Sequence, residues 1–208
     1  MSRVRCEWCL GDEQMLRYHD REWGTPIGLP LGQASADAEH AQFEFLILEG
    51  AQAGLSWRTV LHKRAAYRAA YAGFDPTTVA AFGDADRQRL LADAGIIRNR
   101  LKVAASINNA QCFLEVQQAE GGFCKYLWGF VDGAPVQNAW SAMAAIPAAT
   151  DLSCRVSADL KRRGFRFVGP TIVYAHLQAV GLVNDHVVDC FRHAELATSN
   201  TSKGRASR

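Results

Sequence analysis

Near one end of this 208-residue chain stand Cys6 and His19, and near the other His186-Val-Val-Asp-Cys190. The second pair puts an imidazole and a thiolate four residues apart, on one face if that stretch is helical. Together they make a Cys₂His₂ set, the usual closed tetrahedral composition of a structural zinc site. A site of this kind would tie the two ends together. Closing a loop of roughly 170 residues costs about 4–5 kcal/mol in chain entropy. Zinc binding in small peptides supplies on the order of 10–16 kcal/mol, enough to offset it. Distant pairs carry no spacing code, however. Buried free cysteine is the plain alternative, and Cys9 competes with Cys6 as a ligand. Cys6-x-x-Cys9 lacks the strand-to-helix setting of a redox motif.

Three further groups suit a planar heterocycle. Tyr18 and Trp57 offer flat rings for stacking, and Glu49 can accept hydrogen bonds from an exocyclic amine. Each could equally be a packing or surface residue. Glu49 follows the apolar run FEFLIL and precedes Gly50, so partial burial is expected. A buried carboxylate needs a partner or a shifted pKa.

A third constellation spans residues 157–188, SADLKRRGFRFVGPTIVYAHLQAVGLVNDHVV. The sequence predicts a short helix from a Ser157 cap to Gly164, a tight turn through Phe165–Gly169, and a second helix opening at Pro170. Glycine at both ends of the turn permits conformations closed to other residues. Unpartnered amides in the first turn of the second helix form an anion site. Lys161, Arg162, Arg163 and Arg166 surround it, and a DNA phosphate fits there; a capped helix pair with a solvated basic edge is the bland alternative.

The elements that must position these groups read as helices. Phe43, Leu46, Ile47 and Gly50 follow helical spacing, with Gly50 near the stop. Asp75 caps a helix opened by Pro76, and Asp84 caps the next, with Gly95 at its C-terminal turn. Val103, Ile107, Ala110 and Leu114 stripe a helix from Asn99 to about Gln117. No period-2 strand is evident, the nearest being Phe165–Val168. The expected fold class is therefore all-α, with two interleaved helical lobes. Residues 26–37 read as a loop, and residues 194–208 as a disordered polar tail after a domain spanning 5–193.

Composition excludes little. Apolar residues make up 49% and charged residues 21%, and the net charge of +2 names no partner. No long apolar run marks a signal peptide or a membrane span, so a cytoplasmic monomer without membrane contact is expected. The His-x-Glu and Pro-Cys-x-x-Cys signature of zinc deaminases is missing.

Long segments carry a specific resemblance. Tyr18-His-Asp-Arg-Glu-Trp-Gly24, Leu48-Glu-Gly-Ala-Gln-Ala-Gly-Leu-Ser-Trp57, Asp93-Ala-Gly-Ile-Ile-Arg-Asn99, Gly164-Phe-Arg-Phe-Val-Gly-Pro-Thr171 and Gly181-Leu-Val-Asn-Asp-His186 resemble the 3-methyladenine DNA glycosylase I family, in its order, over residues 5–191. The resemblance implies a helix-hairpin-helix fold and one structural zinc per chain, held by Cys6, His19, His186 and Cys190, with Cys6 preferred over Cys9. It implies base contacts by Tyr18, Glu49 and Trp57, with Glu49 the catalytic group. It also implies a DNA-binding hairpin of Gly164, Arg166, Val168, Gly169 and Thr171, acting on alkylated double-stranded DNA. The implied reaction is hydrolytic release of 3-methyladenine. Pro170-Thr171-Ile172 stands where bifunctional relatives place a lysine nucleophile, so no lyase step is expected. Asp185 receives no firm role. The loop before Phe43 is several residues longer than is usual for the family.

Overall fold

The computed structural model describes residues 3–30 and 34–201, with side chains to residue 198. Its helices are α1 (Glu13–Arg21), α2 (Ala36–Gln52), α3 (Trp57–His62), α4 (Arg64–Ala70), α5 (Pro76–Ala80), α6 (Asp84–Ala92), α7 (Arg100–Glu120) and α8 (Phe123–Trp128), followed by α9 (Asp151–Arg162), α10 (Pro170–Ala179) and α11 (Phe191–Thr201). No helix among the described residues is long and apolar enough to cross a membrane.

Two helices organise the core. α2 is buried nearly all round over Phe43–Glu49, so the Phe43/Leu46/Ile47 stripe captures only one of its faces. Its Phe43 ring meets Phe113 of α7 edge-on at 5.2 Å, and Phe113 stacks on Phe123 of α8 at 4.2 Å. Such pairs hold helices in register beyond what area burial supplies. Gly50 does not stop α2. The helix runs on to Gln52, and Lys102 of α7 donates to the carbonyls of Ala51 and Ala53 at 2.8 and 2.7 Å, closing its end.

Several boundaries differ from the sequence expectations. α9 starts at Asp151, six residues before Ser157; Thr150 and Ser153 cap it reciprocally. Ser157 is a buried mid-helix residue whose hydroxyl donates to Val168 O at 2.6 Å. Asp84 is the first residue of α6 rather than its cap; Gly83 occupies that place, its amide held by Asp86. Gly95 lies beyond the cap residue Asp93, and an added Cβ would come within 2.8 Å of Ala66 Cβ. Close packing, not a helix stop, requires that glycine.

Two strands were missed, β1 (Val136–Gln137) and β2 (Val183–Asn184), which pair in parallel. Two residues are too few for an alternating pattern to register. Residues 194–201 also continue α11, with Leu196 buried beside Gly24, so the expected disordered tail does not begin at 194. Residues 202–208 lie outside the described residues. The ends of the fold meet where Phe191 N donates to Val4 O at 3.1 Å.

Candidate active site and metal centre

Cys6, His19, His186 and Cys190 converge, with one ligand atom from each and all four atoms within 4.8 Å of one another. Cys190 Sγ lies 3.4 Å from His19 Nε2 and 3.5 Å from His186 Nδ1, and Cys6 Sγ lies 3.6 Å from His186 Nδ1. A tetrahedral ion with ordinary Zn–S and Zn–N bonds separates sulfur from nitrogen by about 3.6 Å. The donor set therefore fits a metal ion. The outer partners fit as well. His19 Nδ1 meets Asp20 at 2.8 Å, Asp20 is held by Arg5, and His186 Nε2 meets Trp23 O at 3.2 Å. Cys9 is excluded from the group, because its thiol donates to Cys6 O at 3.1 Å. His186 and Cys190 reach the cluster from a non-helical turn before α11, so a shared helix face is not what joins them.

Beside this cluster opens a cavity of about 630 Å³. α1 contributes Tyr18, α2 contributes Glu49 and α3 contributes Trp57; all three predicted residues line the same space. The rings of Tyr18 and Trp57 lie 5.3 Å apart at 44°. Trp8 and Trp23 extend the aromatic wall, with centroids 5.1 Å apart. Trp8 packs on His19 at 5.4 Å and Trp23 on His186 at 4.5 Å, so cavity wall and metal cluster share side chains. Behind Tyr18, Phe45 is covered by the Arg64 guanidinium, which pairs with Glu44 and Glu22 at 2.7 and 2.6 Å.

Glu49 is 4% exposed, and no protein hydrogen bond reaches its carboxyl among the described residues. Burial alone pushes its pKa up to about 8. Burial thus favours the neutral acid over the anion. The shifted pKa expected for a buried carboxylate without a partner is therefore found, with desolvation its cause. Burial, with Glu49 behind it, also holds the Tyr18 phenol well above its ordinary value. Among the described residues, three of the six buried polar atoms that find no partner lie on this one cavity: Trp8 Nε1, Trp57 Nε1 and the Tyr174 hydroxyl. Buried polar groups are otherwise nearly always satisfied, which marks the cavity as a ligand site.

The hairpin between α9 and α10 is pinned from α7. Asn109 Nδ2 donates to Arg166 O while its Oδ1 accepts from Arg166 N, both at 2.8 Å, and Asn108 donates to Gly164 O at 2.9 Å. Gly164 sits at φ +90°, a conformation glycine permits, and returns the chain toward Gly169 and Pro170 at the start of α10. Arg166 and Thr171 are exposed, whereas Val168 is 2% exposed and packs inward. The positive ring is smaller than expected. Arg162 pairs with Asp159, and Arg163 pairs with Asp159 and Glu120 at 2.7 and 2.6 Å, leaving Lys161 and Arg166 without an ion pair among the described residues.

A family model for methyladenine glycosylase matches residues 8–193. The chain is 46% identical over 186 residues to DNA-3-methyladenine glycosylase 1 of Escherichia coli, spanning 89% of this chain and 95% of that protein. It is 39% identical over 187 residues to the DNA-3-methyladenine glycosylase of Haemophilus influenzae, spanning 90% and 96%.

The chain belongs to the methyladenine glycosylase family.

Solved structures agree with this membership. A crystal structure of 3-methyladenine DNA glycosylase I superposes with a TM-score of 0.83 at 45% identity, over 90% of this chain and 98% of that one. The Staphylococcus aureus 3-methyladenine DNA glycosylase I, solved for its recognition of 3-methyladenine, gives 0.83 at 36% identity, over 90% and 95%. Behind the cavity, Asp185 is held by three donors, Asn138, Trp140 and Gln178, at 2.7, 2.7 and 2.8 Å. Residue reasoning missed Trp8, Trp23 and Tyr174 on the cavity wall, and Leu55 on the turn between α2 and α3. Leu55 is an exposed leucine three residues from Gln52 and two from Trp57, both of which line the cavity. An apolar residue inside the Gly-Leu-Ser turn was the available signal.

Proposed function

We propose that this chain is a monofunctional DNA glycosylase that hydrolyses the N-glycosidic bond of 3-methyladenine in alkylated duplex DNA. One observation carries the assignment of roles: a buried, partnerless Glu49 carboxyl faces a cavity walled by Tyr18 and Trp57. Methylation at N3 leaves the base cationic while it is still joined to the sugar. Bond cleavage then expels a neutral purine, which needs little help from a general acid. The protein's work is selection, and the flipped base is recovered from its unstacking cost of a few kcal/mol by stacking and hydrogen bonding.

Glu49 supplies the discrimination. Ionising it at pH 7 against a pKa of about 8 costs on the order of 1 kcal/mol. A cationic base repays this by attraction in a desolvated site, and an undamaged adenine cannot. Tyr18 and Trp57 add stacking and cation–π attraction. Trp8 and Trp57 present indole N–H groups to ring nitrogens of the base. Hydrolysis needs no Schiff-base nucleophile, and among the described residues no lysine lines the cavity.

Gly164, Arg166, Gly169 and Thr171 form the phosphate-binding edge, with the first-turn amides of α10 as the anion seat. Val168 contributes by packing that turn. Leu55 fills the place in the stack left by the flipped nucleotide. Cys6, His19, His186 and Cys190 hold one zinc ion. Four protein ligands complete its shell, so its role is structural.

The test is release of free base from methylated DNA. Wild-type protein is expected to release 3-methyladenine, and Glu49→Gln, which keeps the shape and removes the charge, to lose roughly 100-fold in rate. A mutant as active as wild type would remove Glu49 from the mechanism.

A further inference from the structure

One short segment joins the base pocket to the proposed wedge. Glu49 lies in the last turns of α2, Trp57 opens α3, and Leu55 stands on the turn between them. That turn is closed by local bonds: Leu55 N donates to Gln52 O at 2.7 Å, and Gln52 Nε2 donates to Leu55 O at 3.0 Å. A helix ends with carbonyls that its own amides cannot reach, and these need an outside donor. Here the donor is the Lys102 ammonium of α7, 2.8 Å from Ala51 O and 2.7 Å from Ala53 O. The first bond is an ordinary helix cap. The second is not, because Ala53 has already left the helix at ψ 116°, and its carbonyl belongs to the turn that carries Leu55.

The same face of α7 holds the hairpin. Asn109, which grips both backbone polar atoms of Arg166, stands about two helical turns after Lys102. Lys102 and Asn109 line one gap of about 20 Å³, together with Gly50 and Ala51 of α2 and Phe167 of the hairpin. Phe167 stands at φ +55°, a left-handed conformation that a bulky residue seldom adopts. A Cβ added at Gly50 would lie 3.5 Å from Phe167 Cβ, so the last turn of α2 sits directly against the hairpin. The wedge turn and the phosphate-binding edge are thereby fixed to one rigid helix, at points about 10 Å apart along its axis.

Resting on the glycosylase reading above, with Leu55 as its wedge, we propose that Lys102 is a positioning residue for nucleotide extrusion. It holds the Leu55 turn at a set distance from the hairpin, so that a grip on the phosphates delivers the leucine to the base stack beside the pocket. Lys102 does not line the cavity of Glu49, Tyr18 and Trp57, so it acts through the turn and not on the base. Glu49 itself is buried within α2 and needs no bond from the turn to keep its place. The arrangement requires two donors on one charged centre at the helix C-terminus, where a cation is favoured. Arginine can supply them, and methionine supplies none.

The experiment is a double-mutant cycle of Lys102→Met with Leu55→Ala, read by single-turnover release of 3-methyladenine from methylated duplex. Lys102→Met alone is expected to slow release about tenfold, and to add less than about twofold once Leu55 is alanine. Lys102→Arg is expected to recover most of that loss. Affinity for free 3-methyladenine, followed by tryptophan fluorescence, should stay within about twofold in Lys102→Met, which a general loosening of the pocket would not allow. An unchanged Lys102→Met rate, losses that multiply in the double mutant, or a matching loss of free-base affinity would overturn the proposal. Should the methionine variant not fold, Lys102→Gln, able to reach one carbonyl, replaces it in the cycle, and multiplying losses there overturn the proposal equally. Leu55→Ala as fast as wild type would defeat the wedge reading and this proposal with it. Absence of release by wild-type protein would instead defeat the underlying glycosylase reading.

Discussion

Tyr18 and His19, consecutive on α1, face two different centres: the Tyr18 ring lines the cavity, and the His19 Nε2 lies 3.4 Å from Cys190 Sγ in the Cys/His cluster. Trp8 and Trp23 repeat the arrangement, each lining the cavity while packing on a cluster histidine. The Cys/His cluster is thus the back of the cavity and also draws together residues near the two ends of the fold.

Stripping the metal should therefore damage base binding and stability together. Purified protein is expected to carry one zinc per chain. Prolonged chelation should lower the melting temperature by more than about 10 °C and weaken 3-methyladenine binding at temperatures where the fold persists. Cys9→Ala should retain the full zinc content, and Cys190→Ala should not. Metal analysis with fluorescence titration of the base checks all three.

The pH dependence of catalysis should follow Glu49. Its pKa is pushed up to about 8, and the anion is the form that attracts a cationic base. Reaction with methylated DNA under kcat/KM conditions should rise as pH increases from 6 to about 8 and level off above it. Glu49→Gln should flatten this limb, as measured by initial rates across the range.

The same group should oppose folding as it ionises. Its folded pKa lies above its unfolded value near 4.5, so the native state binds the proton more tightly. Its contribution to stability is whole below about pH 4.5 and is lost progressively as pH rises toward 8. Glu49→Gln should accordingly raise the melting temperature at pH 8 by several degrees relative to wild type, with a smaller gain at pH 6. Calorimetry at the two pH values decides it.

Leu55→Ala should separate DNA distortion from base recognition. An exposed leucine on the turn before Trp57 contributes nothing to the core. The variant should bind free 3-methyladenine normally but lose about tenfold or more in release from duplex, with less loss on single-stranded substrate. Equal rates on duplex would remove the wedge role.

The candidate site was legible where chemistry sits in uncommon local text. Glu49 stood out because a carboxylate ended an apolar run, and the glycines of residues 164–169 marked the hairpin directly. The candidate metal ligands were readable as residue types but not as a pattern, since the two pairs lie more than 160 positions apart and meet only through folding. Tyr174 was invisible for another reason. An aromatic on a helix ordinarily packs, and nothing local reveals that its hydroxyl is orphaned on a cavity wall.

Element types came through better than their limits. α9 was started six residues late because Ser157 is a good capping type; only the fold shows its hydroxyl occupied by Val168 O. The basic ring at the hairpin was overstated for a related reason. Asp159 lies three and four residues before Arg162 and Arg163, the spacing at which helical charges neutralise each other. The parallel pair β1–β2 joins segments 47 positions apart, beyond any local signal.

Because α7 grips the hairpin's backbone through Asn108 and Asn109, while α9 grips it through Ser157, the turn is held in its final shape without a partner. In the phosphate-binding role proposed above, contact with a double helix would require little ordering of this element, and a grip made to phosphates would be indifferent to sequence. Such a foothold would suit scanning: the molecule could rest briefly at any position, with the decision to stay deferred until a nucleotide has left the stack.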